Sequence, residues 1–496
     1  MNVLIYNYLQ PEDGGGGVGV YSTNLALELQ KIGHRVITLS SGDVYAFTSR
    51  TPRLRTWRDG HERALIVNSP MIAPAEITFS NLEPYINSSG LKDIPRLLRR
   101  KYGSIDVFHF QNLEGLTRLF FEQLRIEFPE SRLIYSIHNY NLVCPQVDLW
   151  FQDRELCVDY RDGAACTRCM PEPVDTEVLR SSRRRRVVVQ ALTRNLPQII
   201  KLGKDSKQRI KMWLGKTSAR ASPEVQPEQD GRKYASFRNA NIEICAELFD
   251  HILAVSERTR QVVIARGLKP DNINVSYIGT AHKTVFEHSN KIADVGTGLH
   301  IAYLGYMRRN KGFHFFIDTL ERLPENIART VTLTVAARRQ DGTDGTTIYN
   351  RLMAIAPRFR SFHHHNGFTH ATLDRVLDGV NLGIVPPIWE DNLPQVAIEL
   401  VSRGIPILTS DRGGAQEIAG NPDFVFEAGS VESLQRRLQQ FSDRSISLAR
   451  FWDRPIRIYS MVEHVDDLAQ YYTPASSPAL ANTESRLASE PIEGMQ

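Results

Sequence analysis

Short apolar runs alternate along this chain with stretches whose apolar positions recur at helical spacing. Val3–Asn7 is such a run, and a glycine-rich turn and a helical pattern through Tyr21–Ile32 follow it. Val36–Leu39, Asp106–Phe110 and Leu133–Ile137 are further runs of the same kind. Continuous apolar runs bounded by turn residues predict strands, and the helical spacing predicts amphipathic helices. Strands alternating with helices build a mostly parallel, helix-covered sheet.

A second series begins near residue 298. His300–Gly305 predicts a strand, Phe313–Leu323 a helix and Val331–Val335 a strand. Leu373–Asp378 then reads as a helix, Leu382–Val385 as a strand, Val396–Arg403 as a helix and Ile405–Thr409 as a strand. Two α/β units predict two domains with a ligand cleft between them. Residues 171–245 break the rhythm with a basic insert, and the tail from Thr473 is expected to be disordered because it is rich in Ser, Ala, Pro and Glu.

Composition narrows the class. The 496 residues are 42% hydrophobic and 23% charged, ordinary values for a soluble enzyme. A net charge of +4 gives no global pull toward nucleic acid, and no nucleic-acid partner is expected. The start, Met1–Tyr8, lacks the charged leader and long apolar core of a signal peptide and reads as a first strand. No apolar stretch is long enough to span a bilayer. A cytoplasmic location is expected, with peripheral contact at the inner face of the membrane left open.

Three segments carry candidate chemistry. The first is Asp13–Gly19, a glycine-rich loop between a strand and a helix, where the backbone can approach a phosphate or a sugar closely. The second runs from Trp389 to Glu399, and it combines a strand end, a loop holding Asp391 and a helix start that leads to Glu399. Such a place favours an anion, and a diphosphate flanked by sugars would fit the two carboxylates. The third is a cysteine cluster, Cys144, Cys157, Cys166 and Cys169, whose closing Cys-x2-Cys spacing fits tetrahedral structural zinc as well as four reduced thiols or redox pairs. Cys245 reads as a core residue in a helix.

The basic insert has two readings. Arg183–Arg186, and the lysines from Lys201 to Lys216 set among Trp213 and Leu214, suit either a solvated helical hairpin or a helix at an anionic membrane face. The surface patch is placed at residues 180–216.

Five ordered stretches resemble a family 4 (group 1) retaining glycosyltransferase of the GT-B fold. They are Gly16–Gly19 through Val36; Ile137–Tyr140 with Cys144-Pro145; Asp250–Ser256 with Tyr277–Thr280; Leu304-Gly305 with Lys311-Gly312; and the 389–399 segment with Gly404–Pro406 and Asp411–Glu417. The resemblance spans about residues 1–420 and implies two Rossmann-like domains facing each other across a cleft. It implies a nucleotide-sugar donor (UDP-, GDP- or ADP-sugar) and a glycan or polyprenyl-diphosphate-linked acceptor. No metal or other cofactor is required for catalysis in such enzymes.

The resemblance also implies roles. Lys311 pairs with the donor diphosphate, Glu399 holds the nucleotide ribose, and His138 and Asp391 stand beside the transferred sugar. Asn392 and Leu393 present amides to phosphate and sugar, Gly16 and Gly17 close over the donor, and Phe368 ends a strand beside the base. Two positions depart from the pattern. Tyr306 stands where the family often has arginine, which leaves Arg308 or Arg309 to reach the diphosphate. Asp391 stands where a glutamate is usual, with Glu390 as its neighbour.

The expected domains are residues 1–285 on the acceptor side, 286–445 for the nucleotide-sugar, a C-terminal helix 446–472 packing back on the first domain, and the tail 473–496. The expected activity is hexosyl transfer in polysaccharide or glycoconjugate synthesis. The alternatives are a catalytically impaired partner subunit and a sugar-nucleotide epimerase on the same fold.

Overall fold

The computed structural model describes residues 1–10, 16–41, 44–46, 49–73, 75, 82, 90–169, 177–185, 231–296 and 298–473. Most of the basic insert, 186–230, and the tail lie outside these residues.

The first sheet contains β1 (Asn2–Tyr6), β2 (Arg35–Ser40), β3 (Arg53–Asp59), β4 (His61–Val67), β5 (Val107–Phe110), β6 (Arg132–Ile137), β7 (His251–Ala254) and β8 (Ile273–Val275). Their order is β8-β7-β6-β5-β1-β2-β4-β3. Every pairing is parallel except the β3–β4 hairpin at the edge. The apolar runs seen in sequence are the central strands, where burial on both faces removes any need for alternation. All four residues of β5 are buried.

The second sheet contains β9 (His300–Tyr306), β10 (Thr332–Arg338), β11 (Ser361–His365), β12 (Leu382–Val385), β13 (Ile407–Ser410) and β14 (Val425–Phe426). Its order is β11-β10-β9-β12-β13-β14, and it is parallel throughout. β12 and β13 are buried at every position. Two Rossmann-like α/β domains are therefore present, as the sequence pattern predicts.

The described helices include α1 (Gly16–Lys31), α2 (Arg232–Leu248), α3 (Glu257–Ile264), α4 (Phe313–Glu321), α5 (His370–Val376), α6 (Gln395–Ser402), α7 (Ala415–Ala419) and α8 (Met461–Tyr472). The predicted starts of α1 and α5 are late, because capping and glycine-rich first turns lack the apolar spacing that signals a helix. α5 carries a capping box at Thr369 and Thr372.

α8 comes from the end of the described chain and packs on the first domain. Its buried face holds Met461, His464, Val465, Leu468 and Tyr472. His464 Nε2 lies 2.7 Å from the Tyr21 hydroxyl of α1, and the Tyr472 hydroxyl lies 2.8 Å from His109 Nδ1 in β5. A capping box at Ser460 and Glu463 starts the helix.

The described part of the basic insert differs from a fully solvated patch. Residues 177–185 are helical, and Arg183 is only 5% exposed. Arg180 donates to the Pro70 carbonyl, and Arg184 lies over the Tyr45 ring. At least the first of the four consecutive arginines serves packing.

Candidate active site

A cavity of about 920 Å³ lies between the two domains. The first domain contributes Gly17, His138, Asn139 and Asp148 to its walls, and the second contributes Lys311, Asp391 and Glu399 among others. Sequence-predicted Tyr306, Phe368, Asn392 and Leu393 line it too. Gly16 opens α1 next to Gly17.

Lys311 is positioned by the glycine after it. Gly312 caps α4 with φ of 75°, and a Cβ there would lie 1.6 Å from the Pro386 carbonyl oxygen. Only glycine permits this approach of the turn to the end of β12. The turn puts Lys311 Nζ 2.6 Å from Asp391 Oδ2 and 4.6 Å from the centre of the Trp389 ring. The lysine is thus held by one carboxylate and one aromatic face.

The Asp391 loop rests on two more glycines. A Cβ at Gly413 would come within 2.1 Å of the Asp391 carbonyl oxygen, and one at Gly414 within 2.4 Å of that of Asn392. Gly414 N–H donates to Asp391 O at 2.8 Å. Ser256 Oγ, the cap of α3, donates to Asn392 O at 2.7 Å, which fixes the loop to the first domain. The Asp-x-Gly-Gly stretch of the sequence resemblance is thus a shelf beneath the acidic loop.

Glu390 and Asp391 have separate tasks. Glu390 is 2% exposed, accepts from Arg258 Nε at 2.8 Å and from Gly413 N–H at 3.2 Å, and has Arg412 at 3.4 Å. Despite its burial, these partners hold its carboxyl below the usual range. Arg258 belongs to α3, so this ion pair joins the domains. Asp391 lines the cavity.

Glu399 sits just past the first turn of α6, closer to the helix start than the chain spacing from Asp391 suggests, because residues 391–394 are not helical. It is 6% exposed, and its Oε2 has no hydrogen-bond partner. Burial pushes its carboxyl up to about 7. A buried acceptor without a donor is costly unless a ligand supplies one. His370 Nε2 stands 3.9 Å from Glu399 Oε1, and the His282 ring lies parallel to that of His370 with centroids 5.0 Å apart.

Among the described residues, His282, His370 and Glu399 are the group of ligand atoms compact enough to hold a metal ion, all within 4.8 Å of one another. Cys144, Cys157, Cys166 and Cys169 do not form such a group and none is in a disulfide, so of the three readings their spacing left open the structure shows four free cysteines. Burial pushes Cys166 up to about 12 and Cys169 up to about 11, so both are held as thiols. Cys169 Sγ instead donates to Gln146 Oε1 at 3.0 Å.

His138 stands on the first-domain side. Its Nε2 lies 2.8 Å from Gln111 Oε1, and its ring packs on Tyr21 with centroids 4.8 Å apart. Burial lowers its pKa to about 3, so the imidazole is neutral. Asn139 donates to Glu114 at 2.6 Å. Arg308 is exposed, lies 5.3 Å from the Tyr306 ring centre and donates to Gln340, so it stands at the rim.

Several wall residues have no sequence signal of their own. Trp389 lines the cavity beneath Lys311 and Gln111 is buried behind His138, placements that only the fold reveals. Asp148 lies inside the cysteine loop but carries no motif. Away from the cavity, Asp59-Gly60 is the local turn signal that marks the β3–β4 hairpin.

The second domain, residues 298–444, matches the family described as Glycosyl transferases group 1. No curated protein matches the chain in sequence. Solved structures match nearly its whole length at low identity. Sucrose-phosphate synthase from Thermosynechococcus elongatus is 13% identical with a TM-score of 0.55, covering 95% of this chain and 98% of that one. Alr3699/HepE of Anabaena, in complex with UDP, is 12% identical with a TM-score of 0.54, covering 95% and 99%. A trehalose-6-phosphate protein from E. coli, bound with UDP-2-fluoro glucose, is 12% identical with a TM-score of 0.52, covering 95% and 96%.

Proposed function

We propose that this chain, a glycosyltransferase by its group 1 domain and its GT-B fold, moves a sugar from a nucleotide-sugar to a glycan or lipid-linked acceptor with retention of configuration. The observation that carries the reading is the shared cavity. It brings Lys311, Asp391, the start of α6 and the unsatisfied Glu399 together across from Gly17 and His138. UDP or a UDP-sugar is bound in two of the similar structures, which supports a donor of that class.

In this reading Glu399 accepts from the ribose hydroxyls, and Phe368 with Arg338 borders the base. The N–H groups at the start of α6 and Lys311 face the diphosphate. As the bond from the anomeric carbon to the diphosphate oxygen breaks, negative charge gathers on that oxygen, and Lys311 stabilises it in place. Lys311 is therefore drawn away from Asp391, whose carboxylate turns to the hydroxyls of the transferred sugar. The acceptor oxygen attacks from the face the diphosphate leaves, and its proton passes to a diphosphate oxygen. Neutral His138 offers a hydrogen bond beside the reacting carbon without adding a competing cation. Lys311 and the helix dipole supply the positive charge, so the step is written without a metal ion.

Arg308 stacked on Tyr306 supplies a cation near the place of the family arginine, which favours an active enzyme over an impaired subunit. We assign the enzyme to polysaccharide or glycoconjugate synthesis, with an acceptor delivered at a membrane face. Calorimetry against UDP-, GDP- and ADP-sugars tests the reading, with NMR of the product's anomeric proton testing retention. Micromolar binding of one donor class is expected, and binding of none refutes it.

A further inference from the structure

The cysteine loop delivers one charged side chain to the cavity, Asp148. It does so from backbone that no ordinary turn demands. Val147 and Leu149, on either side, have φ of 70° and 53°. A β-branched residue in the left-handed region is an outlier, and such outliers persist where surroundings hold them. Here Val147 is pinned at both ends: its N–H donates to Cys144 O, and its carbonyl accepts from Tyr140 N–H, each at 2.9 Å. The Leu149 carbonyl accepts from Cys157 N–H at 2.7 Å. The two cysteine positions thus brace the residue between them.

Asp148 looks across the domain boundary. Asn310 Nδ2 of the second domain donates to its Oδ2 at 3.3 Å. Lys311, Asp391 and Arg308 all act on its charge, and burial raises its carboxyl to about 6. A carboxylate beside the diphosphate site repels a second phosphate and welcomes a neutral hydroxyl, which can donate to it.

We propose that Asp148 contacts the acceptor, taking a hydrogen bond from a neutral sugar ring at the attacking end and selecting against acceptors phosphorylated there. This rests on the glycosyl-transfer reading above. It sets the chain apart from a similar structure solved with glucose-6-phosphate. The cysteine loop is then a mount for acceptor specificity.

Asp148→Asn keeps an amide oxygen for Asn310 and removes only the charge, so a purely structural role predicts no change. The test is saturation-transfer NMR of the full chain with UDP, using a panel of neutral hexoses and hexose 6-phosphates. Calorimetry of the UDP-sugar donor runs beside it. The expected result is signal from one or more neutral hexoses in the wild type, weakened about tenfold or more in Asp148→Asn, with donor affinity within about twofold and an unchanged melting temperature. Signal from no neutral hexose, preference for hexose phosphates, or equal hexose binding by the variant overturns the proposal. A variant that loses donor affinity instead places Asp148 on the donor and also overturns it. A wild type that binds no nucleotide-sugar fails at the earlier step and marks the glycosyl-transfer reading as the fault.

Discussion

Lys311 Nζ lies 2.6 Å from Asp391 Oδ2, so the cation we assign to the leaving group is held by the carboxylate we assign to the sugar. The pair keeps both side chains in the cavity before any donor arrives. In the proposed reading, a donor would replace one strong interaction with two, the diphosphate taking the lysine and sugar hydroxyls the aspartate.

Lys311→Ala is expected to lower kcat by about 100-fold or more, the scale for losing one preorganised charge at a developing anion. Steady-state kinetics with saturating donor check this. Turnover near that of the wild type would remove Lys311 from the chemistry.

The neighbouring carboxylates separate in a paired experiment. Glu390→Gln breaks a buried ion pair between domains and should cost about 3 kcal/mol in urea unfolding. Asp391→Asn should leave stability within about 1 kcal/mol and cut turnover strongly. The opposite pattern would exchange their roles.

If Glu399 holds the donor as proposed, donor binding is expected to depend on pH. Its carboxyl holds a proton up to about 7 in the bare protein, against an ordinary 4.5. A raised carboxyl favours the folded state most below 4.5, and that contribution fades as pH rises through 7, by up to about 3 kcal/mol. Ribose hydroxyls donate to the ionised form, so donor binding releases the proton and tightens as pH rises from about 5.5 toward 7. Calorimetry with a nucleotide-sugar, whose diphosphate does not titrate there, reads the slope. Glu399→Gln should flatten it, and a flat wild-type profile refutes the assignment.

Gly312→Ala is expected to cost about 3–5 kcal/mol or prevent folding, because strain at positive φ adds to a clash with backbone. Thermal melting checks it. A variant as stable as the wild type would mean that the turn can move away from Pro386.

The sequence made the two domains legible because the central strands of both sheets are parallel and buried, and buried parallel strands announce themselves as apolar runs. Asp391 and Glu399 drew attention through the helix start between them and Lys311 through the family resemblance, and the fold brings all three to one cavity. Asp148 and Trp389 drew none, since their importance comes from neighbours far along the chain. Arg183 shows the opposite failure. A run of like charges suggests a solvated face, yet the fold buries its first member near Tyr45.

The placement of α8 bears on how the protein is made. Tyr21 packs on His138 and bonds to His464, while His109 bonds to Tyr472, so the first domain's active-site wall is braced by residues from the other end of the described chain. On the ribosome, the domain synthesised first is the one completed last. Until α8 emerges, Tyr21 of α1 lacks its His464 partner and His109 of β5 lacks its Tyr472 partner. A chain stopped before Met461 would hold every residue assigned to the cavity but would lack the His464 and Tyr472 braces behind α1 and β5.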